Sequence, residues 1–353
     1  MKRILIVYQS KPAIISGLMK GFKNQGIDVL IFLADEHQLW IDKYIFHVIN
    51  KLAHNFRLLK KSSYLFTKNK FSHWNYINTK LVEFCKENTL DGVFFIHGVH
   101  YSDHTLSQIK CPKIAWLVDP VISPERLRLF TSQLDWYFSY SQQAIKVINQ
   151  FNFFNTSYLA HAVDPSQFYI LPHQKKFIDI CFVGKHSVHR EKYILASLEI
   201  TKKVIVYGSR WIAPAFLNPS LFLSIKGSEC YGEKLNQLYN SSKIVLSIIA
   251  KPQDSKSLQS GINMRPYEIL ASGSLLFSDK YEELDPGLVN KKNIILFNSL
   301  DEFKLILTQL LSDNQMIGLV SASGNQYIQG RFTYDEIAET IIKKFQEVQQ
   351  SYI

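Results

Sequence analysis

The segment from Gly261 to Asp279 (GINMRPYEILASGSLLFSD) contains side chains that could bind a nucleotide. A loop runs up to Arg265, Pro266 suits the first position of a helix, and the helix is predicted to end before Gly273. Free backbone N–H groups at the start of this helix, with the Arg265 guanidinium beside them, favour a diphosphate. The carboxylate of Glu268, predicted in the first turn, could accept hydrogen bonds from the vicinal hydroxyls of a ribose. Alternatively, Glu268 is only a first-turn helix charge and Arg265 a solvated surface residue.

The same segment resembles the nucleotide-sugar motif of GT-B glycosyltransferases, and specifically that of the CgeB-like (spore maturation protein-like) group related to glycosyltransferase family four. A pattern close to G-x-N-x-R-x-x-E-x-L-A-x-G is matched at Gly261, Asn263, Arg265, Glu268, Leu270, Ala271 and Gly273. Further likeness lies in DICFVGKHSVHREKY, VIVYGSRW, YGEKLNQLYNSSKIVLSI, NIILFNSLDEFKLIL and GRFTYDEIAETI. The resemblance covers roughly the C-terminal half of the chain. It implies that this half binds a nucleotide sugar through Gly261, Asn263, Arg265 and Glu268.

One position departs from the family-four pattern. Enzymes of that family usually carry a Glu-x(7)-Glu pair, in which the second Glu binds the ribose and the first approaches the donor sugar. Glu268 fits the second place, whereas Ser260 stands in the first. CgeB-like sequences often lack that first Glu, so its loss argues against a standard family-four site more than against sugar transfer itself.

Length and composition are those of a globular protein with two domains of ordinary size, since the chain has 353 residues and 46% hydrophobic side chains. No apolar run approaches the ~18 residues needed to span a bilayer. The opening MKRILIVYQSKP is interpreted as a first strand and not as a signal peptide. The four cysteines are widely separated and form no C-x-x-C pair, which predicts a reduced, cytoplasmic chain with buried thiols.

Positive charge is concentrated between residues 42 and 80, in a chain whose formal net charge is +10. This segment holds one acid, Asp42, and eight basic residues: Lys43, Lys51, Arg57, Lys60, Lys61, Lys68, Lys70 and Lys80. Aromatic residues lie between them, and the combination predicts peripheral contact with an anionic membrane, at its inner face. The alternative is a helical pair with an ordinary solvated face and an aromatic core side. Nucleic acid is not expected, because no zinc finger, RNP signature or KH-type loop accompanies the charge.

Short apolar runs alternate with amphipathic stretches along the chain, which predicts an α/β protein with parallel sheets. Strands are predicted at 4–8, 29–33, 92–96, 114–118 and 136–139 in the first half, and at 178–183, 204–207, 244–248, 275–277 and 294–297 in the second. Helices are predicted at 13–24, 74–87, 142–149 and 334–349. With the resemblance, this predicts a GT-B fold of two doubly wound Rossmann-like domains facing across a cleft.

The boundary between the domains is predicted near AVDPSQFYILPHQKK, because Asp164-Pro165 and Leu171-Pro172 break regular structure. Residues 1–165 would form an N-terminal Rossmann-like domain on the acceptor side, and residues 166–333 a C-terminal Rossmann-like domain that binds the nucleotide sugar. By analogy with GT-B proteins, residues 334–353 are predicted to be a C-terminal helix that crosses back onto the N-terminal domain.

Residues that follow the strands are the first candidates for ligand contacts, because open α/β sheets bind ligands at the carboxyl ends of their strands. In the C-terminal half, Gly184 and Lys185 follow the first predicted strand, and Gly208 and Arg210 follow the second. The glycines would permit close approach of a base or phosphate, and the cations would offset diphosphate charge. Alternatively, each glycine only forms a turn.

In the N-terminal half, His97 and His100 follow the strand GVFFI, and Asp119 follows IAWLV. An Asp or His near the anomeric carbon could act as a general base on the acceptor hydroxyl, or stabilise an oxocarbenium-like transition state. CgeB-like proteins often show an apolar strand, an aromatic residue and then Asp before Pro, so Trp116 and Asp119 resemble the acceptor-side wall of the cleft. The alternatives are polar loop residues for the histidines and turn chemistry for Asp119.

No D-x-D occurs in the sequence, so the metal-diphosphate clamp of the other common glycosyltransferase architecture is absent. No metal or other cofactor is therefore expected, and Arg265, lysines and helix N–H groups would balance the diphosphate charge. Walker A, G-x-S-x-G and H-E-x-x-H motifs are absent as well, which removes the simplest ATPase and hydrolase interpretations.

The predicted function is transfer of a sugar, of the hexosyltransferase type, from a nucleotide-diphosphate donor to a glycan, lipid-linked glycan or protein acceptor. The resemblance to family four implies retention of anomeric configuration. Two alternatives stay open. One is a catalytically silent GT-B partner protein that binds a nucleotide sugar or glycan, and the other is a nucleotide-sugar epimerase, which would need paired acid and base residues that the sequence does not identify.

Overall fold

The computed structural model describes residues 1–10, 13–59, 63–97, 101–118, 133–150, 155–216, 218–250, 261–280 and 283–350. The chain divides into two compact units. Unit 1 consists of Met1–Leu159 together with Asp335–Ile353, and unit 2 consists of Ala160–Tyr334. Each unit is built around a six-stranded sheet.

The sheet of unit 1 is parallel throughout, with the strand order β2-β1-β3-β4-β5-β6. Its strands are β1 (Arg3–Tyr8), β2 (Asp28–Leu33), β3 (Gly92–Ile96), β4 (Lys113–Leu117), β5 (Trp136–Ser139) and β6 (Thr156–Tyr158). The helices between them are α1 (Ala13–Asn24), α2 (His47–Asn55), α3 (His73–Glu87), α4 (Asp103–Ser107) and α5 (Gln142–Asn149). A 3-10 turn at Ala34–His37 and a π-helical turn at Asp42–Phe46 precede α2.

The sheet of unit 2 is also parallel, with the strand order β12-β11-β10-β7-β8-β9. Its strands are β7 (Ile178–Val183), β8 (Val204–Tyr207), β9 (Ile225–Gly227), β10 (Ser242–Ser247), β11 (Leu275–Asp279) and β12 (Ile295–Phe297). The helices are α6 (Val188–Ile200), α7 (Ile212–Ala215), α8 (Pro219–Ser224), α9 (Gly232–Asn240), α10 (Met264–Ala271), α11 (Leu300–Ser312) and α12 (Asn314–Ile328).

The C-terminal helix α13 (Tyr334–Gln350) belongs to unit 1 from Asp335 onward. Gly92, the first residue of β3, lies against the ring of Phe345 on this helix, so that a Cβ at Gly92 would be 2.6 Å from the ring. Lys344 lies over the ring of Trp136, with its Nζ 3.7 Å from the ring centroid. The end of the chain therefore packs on the sheet formed by its beginning.

Both faces of each sheet are covered, which explains why the strands are nearly continuous apolar runs. Along β7, Ile180 and Phe182 pack into the core on one face of the sheet, whereas Cys181 and Val183 pack into the core on the other. Strands β3 and β4 are buried at every residue. The predicted strands are found within two residues of their predicted bounds. The short edge strands β6 and β9 were not predicted, because three partly exposed residues leave little apolar pattern.

Strand order reverses direction between β7 and β10 in unit 2, and between β1 and β3 in unit 1. In open α/β sheets, ligands bind outside the carboxyl ends of the strands at such a topological switch point. The loops after Val183 in unit 2 and after Tyr8 and Ile96 in unit 1 are therefore the first places to look for a site. All four cysteines are unpaired thiols. None of the described helices is long and apolar enough to cross a membrane.

Candidate functional site

Helix α10 begins at Met264, two residues before the predicted start. Its N-cap is Asn263, whose Oδ1 accepts a hydrogen bond from the backbone N–H of Arg265 at 3.0 Å. Pro266 therefore occupies the third helical position and not the first, and Glu268 lies in the second turn and not in the first. Because Asn263 already binds the Arg265 N–H and Pro266 has none, the helix terminus offers a diphosphate fewer donors than predicted.

The other end of α10 is fixed by its neighbour α12. The Nδ2 atom of Asn325 donates to the carbonyl oxygens of Leu270 and Ala271, at 2.9 Å in both cases. Gly273 follows with a φ of +67°, the left-handed conformation that commonly ends a helix. This two-turn helix is thus held in place at its end by side chains that are themselves buried.

Arg265 and Glu268 lie in a largely buried part of unit 2. Both are only partly exposed, and the Nε atom of Arg265 is closed to solvent. Burial raises the pKa of the Glu268 carboxyl to about 6, and the charge of Arg265 acts in the opposite direction. Burial also raises the pKa of the Tyr239 hydroxyl, again against the effect of Arg265. The alternative, a first-turn helix charge at Glu268 and a solvated surface residue at Arg265, does not fit these surroundings.

Aromatic side chains enclose the same place. Tyr267, fully buried on α10, stacks on Phe332 with ring centroids 4.7 Å apart. Tyr334 is buried near two carboxylates, since burial and the negative charges of Glu268 and Asp164 together raise the pKa of its hydroxyl. A carboxylate and a guanidinium in aromatic surroundings can bind a polar ligand strongly, because little water competes for them.

The loops after β7 and β8 pack directly on each other. The N–H of Gly184 donates to the carbonyl oxygen of Tyr207 at 2.8 Å, and the Trp211 Nε1–H donates to the Gly184 carbonyl oxygen at 2.7 Å. A Cβ at Gly208 would lie 1.9 Å from that same oxygen. Gly208 is therefore needed for packing between the two loops, which favours the turn interpretation for this residue. The two predicted cations, Lys185 and Arg210, are exposed at this edge of the sheet.

Polar residues that the sequence did not single out lie at the same edge. The Asp279 carboxylate, at the end of β11, accepts a hydrogen bond from the Ile249 N–H at 3.0 Å and lies 3.8 Å from Nε2 of His189. The Nε2 atom of His186 is 2.7 Å from Oε2 of Glu191. Their positions at the end of β11 and in the loop after β7, the kind of position that selected Lys185, could have identified Asp279 and His186 as well.

In unit 1, His97 lies at the topological switch point, directly after β3. It has a φ of +71° and its ring stacks on Tyr8, the last residue of β1, with centroids 6.2 Å apart. Its N–H donates to the Trp116 carbonyl oxygen at 2.9 Å. The Trp116 side chain is fully buried and its Nε1–H donates to the Leu159 carbonyl oxygen at 3.3 Å. Trp116 is therefore a core residue, and the expectation that it forms a wall open to an acceptor is wrong.

Three residues of the sequence-based site lie outside the described residues: His100, Asp119 and Ser260. Within the described part of the chain, no group of three or more His, Cys, Asp or Glu side chains is arranged to hold a metal ion.

Comparison with known proteins agrees with this architecture. Residues 190–343 match the family model described as "Glycosyl transferase-like". No curated protein matches the sequence. Among solved structures, HepE of Anabaena in complex with UDP and glucose is similar with a TM-score of 0.65 and 13% identity, over 98% of this chain and 100% of that one.

Two further solved structures align over nearly the full chain. A sucrose-phosphate synthase from Thermosynechococcus elongatus has a TM-score of 0.72 and 9% identity, over 99% of this chain and 100% of that one. AviGT4, a glycosyltransferase involved in avilamycin A biosynthesis, has a TM-score of 0.64 and 12% identity, over 99% of each chain. At such identities the likeness establishes the fold alone. The predicted GT-B fold is confirmed, with a glycosyl transferase-like region in residues 190–343.

Proposed function

We propose that the protein is a glycosyltransferase that moves a sugar from a nucleoside-diphosphate donor, bound by unit 2, to an acceptor. The observation that carries the proposal is the partly buried pair of Arg265 and Glu268 on α10, within the region that matches the glycosyl transferase-like family. The proposal includes transfer of the hexosyltransferase type, with retention of anomeric configuration as the resemblance to family four implies.

In the proposed donor complex, the Glu268 carboxylate accepts hydrogen bonds from the two hydroxyls of a ribose. A carboxylate whose pKa is raised by burial gains more from such donors than a solvated one, because it has already lost part of its hydration. The Arg265 guanidinium, with Lys185 and Arg210 at the edge of the sheet, would offset diphosphate charge without a metal ion. Gly261 and Asn263 stand in the loop before the helix, where the motif has them.

Uridine diphosphate is the first nucleotide to test. The solved structures of the HepE protein contain UDP, UDP with glucose, and UDP-glucose, and this fold neighbour spans the whole of the chain. The acceptor in the proposal is a glycan, a lipid-linked glycan or a protein. A lipid-linked acceptor would bring the enzyme to the inner face of a membrane, and the four unpaired thiols favour a cytoplasmic location. His97, His100 and Asp119 remain the proposed catalytic residues.

A catalytically silent nucleotide-sugar-binding protein is the second candidate. Its support is Ser260 in place of the Glu that approaches the donor sugar in family four, a loss that argues against a standard family-four site more than against transfer itself. Product analysis separates the candidates. The protein is incubated with radiolabelled UDP-sugars and GDP-sugars and with glycan, lipid-linked and protein acceptor fractions, and the products are separated by chromatography. We expect label in an acceptor and release of nucleoside diphosphate. Bound but unchanged donor would indicate the silent protein, and an interconverted donor sugar would indicate an epimerase.

A further inference from the structure

The segment of residues 40–74 in unit 1 exposes large apolar side chains to an unusual degree. Trp40 is 67% exposed, Tyr44 55%, Leu52 49% and Phe56 71%. Isolated apolar residues on a surface are normal, whereas a contiguous apolar patch marks an interaction site. An ordinary helical pair would turn the aromatic residues of this segment toward the core. Trp40, Tyr44 and Phe56 are exposed instead, so that alternative is wrong for these three residues.

Four of the exposed apolar residues share one helix face. The π-helical turn Asp42–Phe46 continues directly into α2, and Ile45, Val48, Leu52 and Phe56 recur at intervals of three or four residues. Residues at this spacing lie above one another on a helix. Phe46 and Ala53 on the same helical stretch are buried. The helix therefore has two apolar faces, of which one packs into unit 1 and the other faces solvent.

Exposed cations occur along the same segment. Lys43, Lys51, Arg57, Lys68 and Lys70 are exposed. Within the described ranges, none of these five side chains has an acidic partner within 4.0 Å. The Nζ of Lys43 lies 5.4 Å from the ring centroid of Tyr44, and the Nζ of Lys70 lies 5.0 Å from that of Phe71.

The one acid of the segment does not neutralise these cations. The Asp42 carboxylate accepts hydrogen bonds from Nε2 of Gln38 and from the backbone N–H of His73, at 2.9 Å in both cases. It therefore joins the π-helical turn to the start of α3. One negative charge against five exposed cations leaves the described part of the segment with a net positive charge.

We propose that residues 40–59 and 63–74 form a membrane-docking surface, in which the outward helix face inserts into the interfacial region of an anionic bilayer. Aliphatic residues on one helix face, Trp and Tyr beside them and Lys and Arg around them are the chemistry of interfacial helices. A second copy of this chain fits less well, since a two-fold contact would bring two sets of five cations together. This docking surface would bring the protein to a lipid-linked acceptor and so extends the proposed function. Docking itself requires no sugar transfer.

The test is co-sedimentation of the full-length protein with vesicles, without nucleotide or acceptor. We expect binding to phosphatidylcholine vesicles with one quarter phosphatidylglycerol at low salt, weaker binding at 0.5 M salt, and little binding to phosphatidylcholine alone. A basic residue near an anionic surface contributes about 1 kcal/mol, or about five-fold in the partition coefficient. The charge reversal Lys43→Glu plus Lys51→Glu should therefore lower partitioning by about 25-fold or more.

The apolar face is tested separately with Val48→Ser, Leu52→Ser and Phe56→Ser combined. Full burial of one such side chain is worth about 1.5–3 kcal/mol, so partial insertion of three should account for at least about ten-fold in partitioning. Leu305→Ser plus Leu319→Ser, which removes two equally exposed leucines from unit 2, is the apolar control. Lys110→Glu plus Lys146→Glu, on exposed residues of unit 1, is the charge control. Both controls should bind as the parent does.

Insertion has its own readout in the fluorescence of Trp40. Its emission should shift to the blue on vesicle binding and be quenched by brominated lipid. Trp74 is 40% exposed in the same surface and should contribute to this signal, so Trp40→Phe plus Trp74→Phe should lose most of it, because Trp116 and Trp211 are fully buried. No binding to anionic vesicles at low salt would overturn the proposal, as would full binding by the triple serine variant. A dimer in lipid-free sedimentation velocity that the triple variant abolishes would assign the face to a second copy. Glycosyl transfer is measured in a separate assay, so the absence of transfer would not change the interpretation of the vesicle-binding results.

Discussion

Gly208 contacts Gly184 so closely that a Cβ at residue 208 would lie 1.9 Å from the Gly184 carbonyl oxygen. The φ of Gly208 is +147°, a conformation that L side chains rarely adopt. The same carbonyl oxygen accepts the Trp211 Nε1–H at 2.7 Å, so it cannot move away without breaking a partly buried hydrogen bond. The loops after β7 and β8 therefore have one compatible arrangement at the carboxyl edge of the unit 2 sheet.

Gly208→Ala should destabilise unit 2. Overpacking alone costs about 1–3 kcal/mol, and the unfavourable φ adds to it. Urea denaturation followed by tryptophan fluorescence is a suitable measurement, since Trp211 lies at this contact. We expect a lower midpoint for at least one transition. An unchanged midpoint would mean that the two loops separate without cost, and the close contact would then not explain why glycine stands at residue 208.

Gly318→Ala is the matched control, and its effect on stability should have the opposite sign. Gly318 lies inside α12, and a Cβ built there has no atom within 4 Å. Alanine in a helix interior is favoured over glycine by about 0.5–1 kcal/mol, because the unfolded glycine has more conformations to lose. The urea midpoint should rise slightly. A fall in the midpoint would indicate an undetected steric constraint on α12.

The strands were predictable because strands covered on both faces appear in the sequence as continuous apolar runs, as GVFFI and IVLSI do. The start of α10 was misplaced because Pro266 suits a first helical position, whereas Asn263 is the residue that caps the helix. A helical pair was only one of the two interpretations of residues 42–80, and the sequence did not show which apolar side chains of that segment would be buried. Only the packing of Phe46 and Ala53 settles that.

Substitution of the two helix residues should weaken nucleotide binding. Glu268→Gln keeps the shape of the side chain and removes its charge, so affinity for a nucleoside diphosphate should fall by about 1.5–3 kcal/mol, the range for charged hydrogen bonds. Arg265→Lys should also weaken binding, because an ammonium cannot donate the paired hydrogen bonds of a guanidinium. Isothermal titration calorimetry measures both. The control is Glu339→Gln, which removes only an exposed ion pair with Lys343 on α13. If both variants bind the nucleoside diphosphate as tightly as the parent protein does, α10 has only a structural role.

The stability of the unliganded protein should respond to Glu268 in a pH-dependent manner. Burial raises the pKa of this carboxyl from 4.5 to about 6, so its protonated form stabilises the fold and that contribution is lost as pH rises through about 6. Glu268→Gln should therefore be more stable than the parent at pH 7.5, by no more than about 2 kcal/mol, and the difference should vanish near pH 4.5. Denaturation at a series of pH values checks this, and a difference independent of pH would contradict it.

Ligand binding should show the reverse dependence on pH. If the ionised Glu268 carboxylate accepts the ribose hydroxyls, affinity for the nucleotide should fall as pH drops below about 6, where the carboxyl takes up a proton. Glu268→Gln should bind weakly at every pH and show a flatter profile. Equally steep profiles for the parent and the variant would assign the titration to the nucleotide phosphates or to another residue.

A nucleoside diphosphate should stabilise the protein without added metal. Saturation at 100-fold above the dissociation constant adds about 2.7 kcal/mol, a thermal shift of roughly 5–11 °C for a unit of this size. The physical reason is the set of cations at this edge of unit 2, in which Arg265 is joined by the exposed Lys185 and Arg210. A thermal-shift screen would compare uridine, guanosine, cytidine, adenosine and thymidine diphosphates, each with EDTA and with magnesium. Lys185→Ala plus Arg210→Ala should reduce the shift if these cations meet the phosphates. If EDTA abolishes the shift, the metal-free part of the proposal is wrong. If no nucleotide produces a shift, the proposed donor site on α10 is wrong.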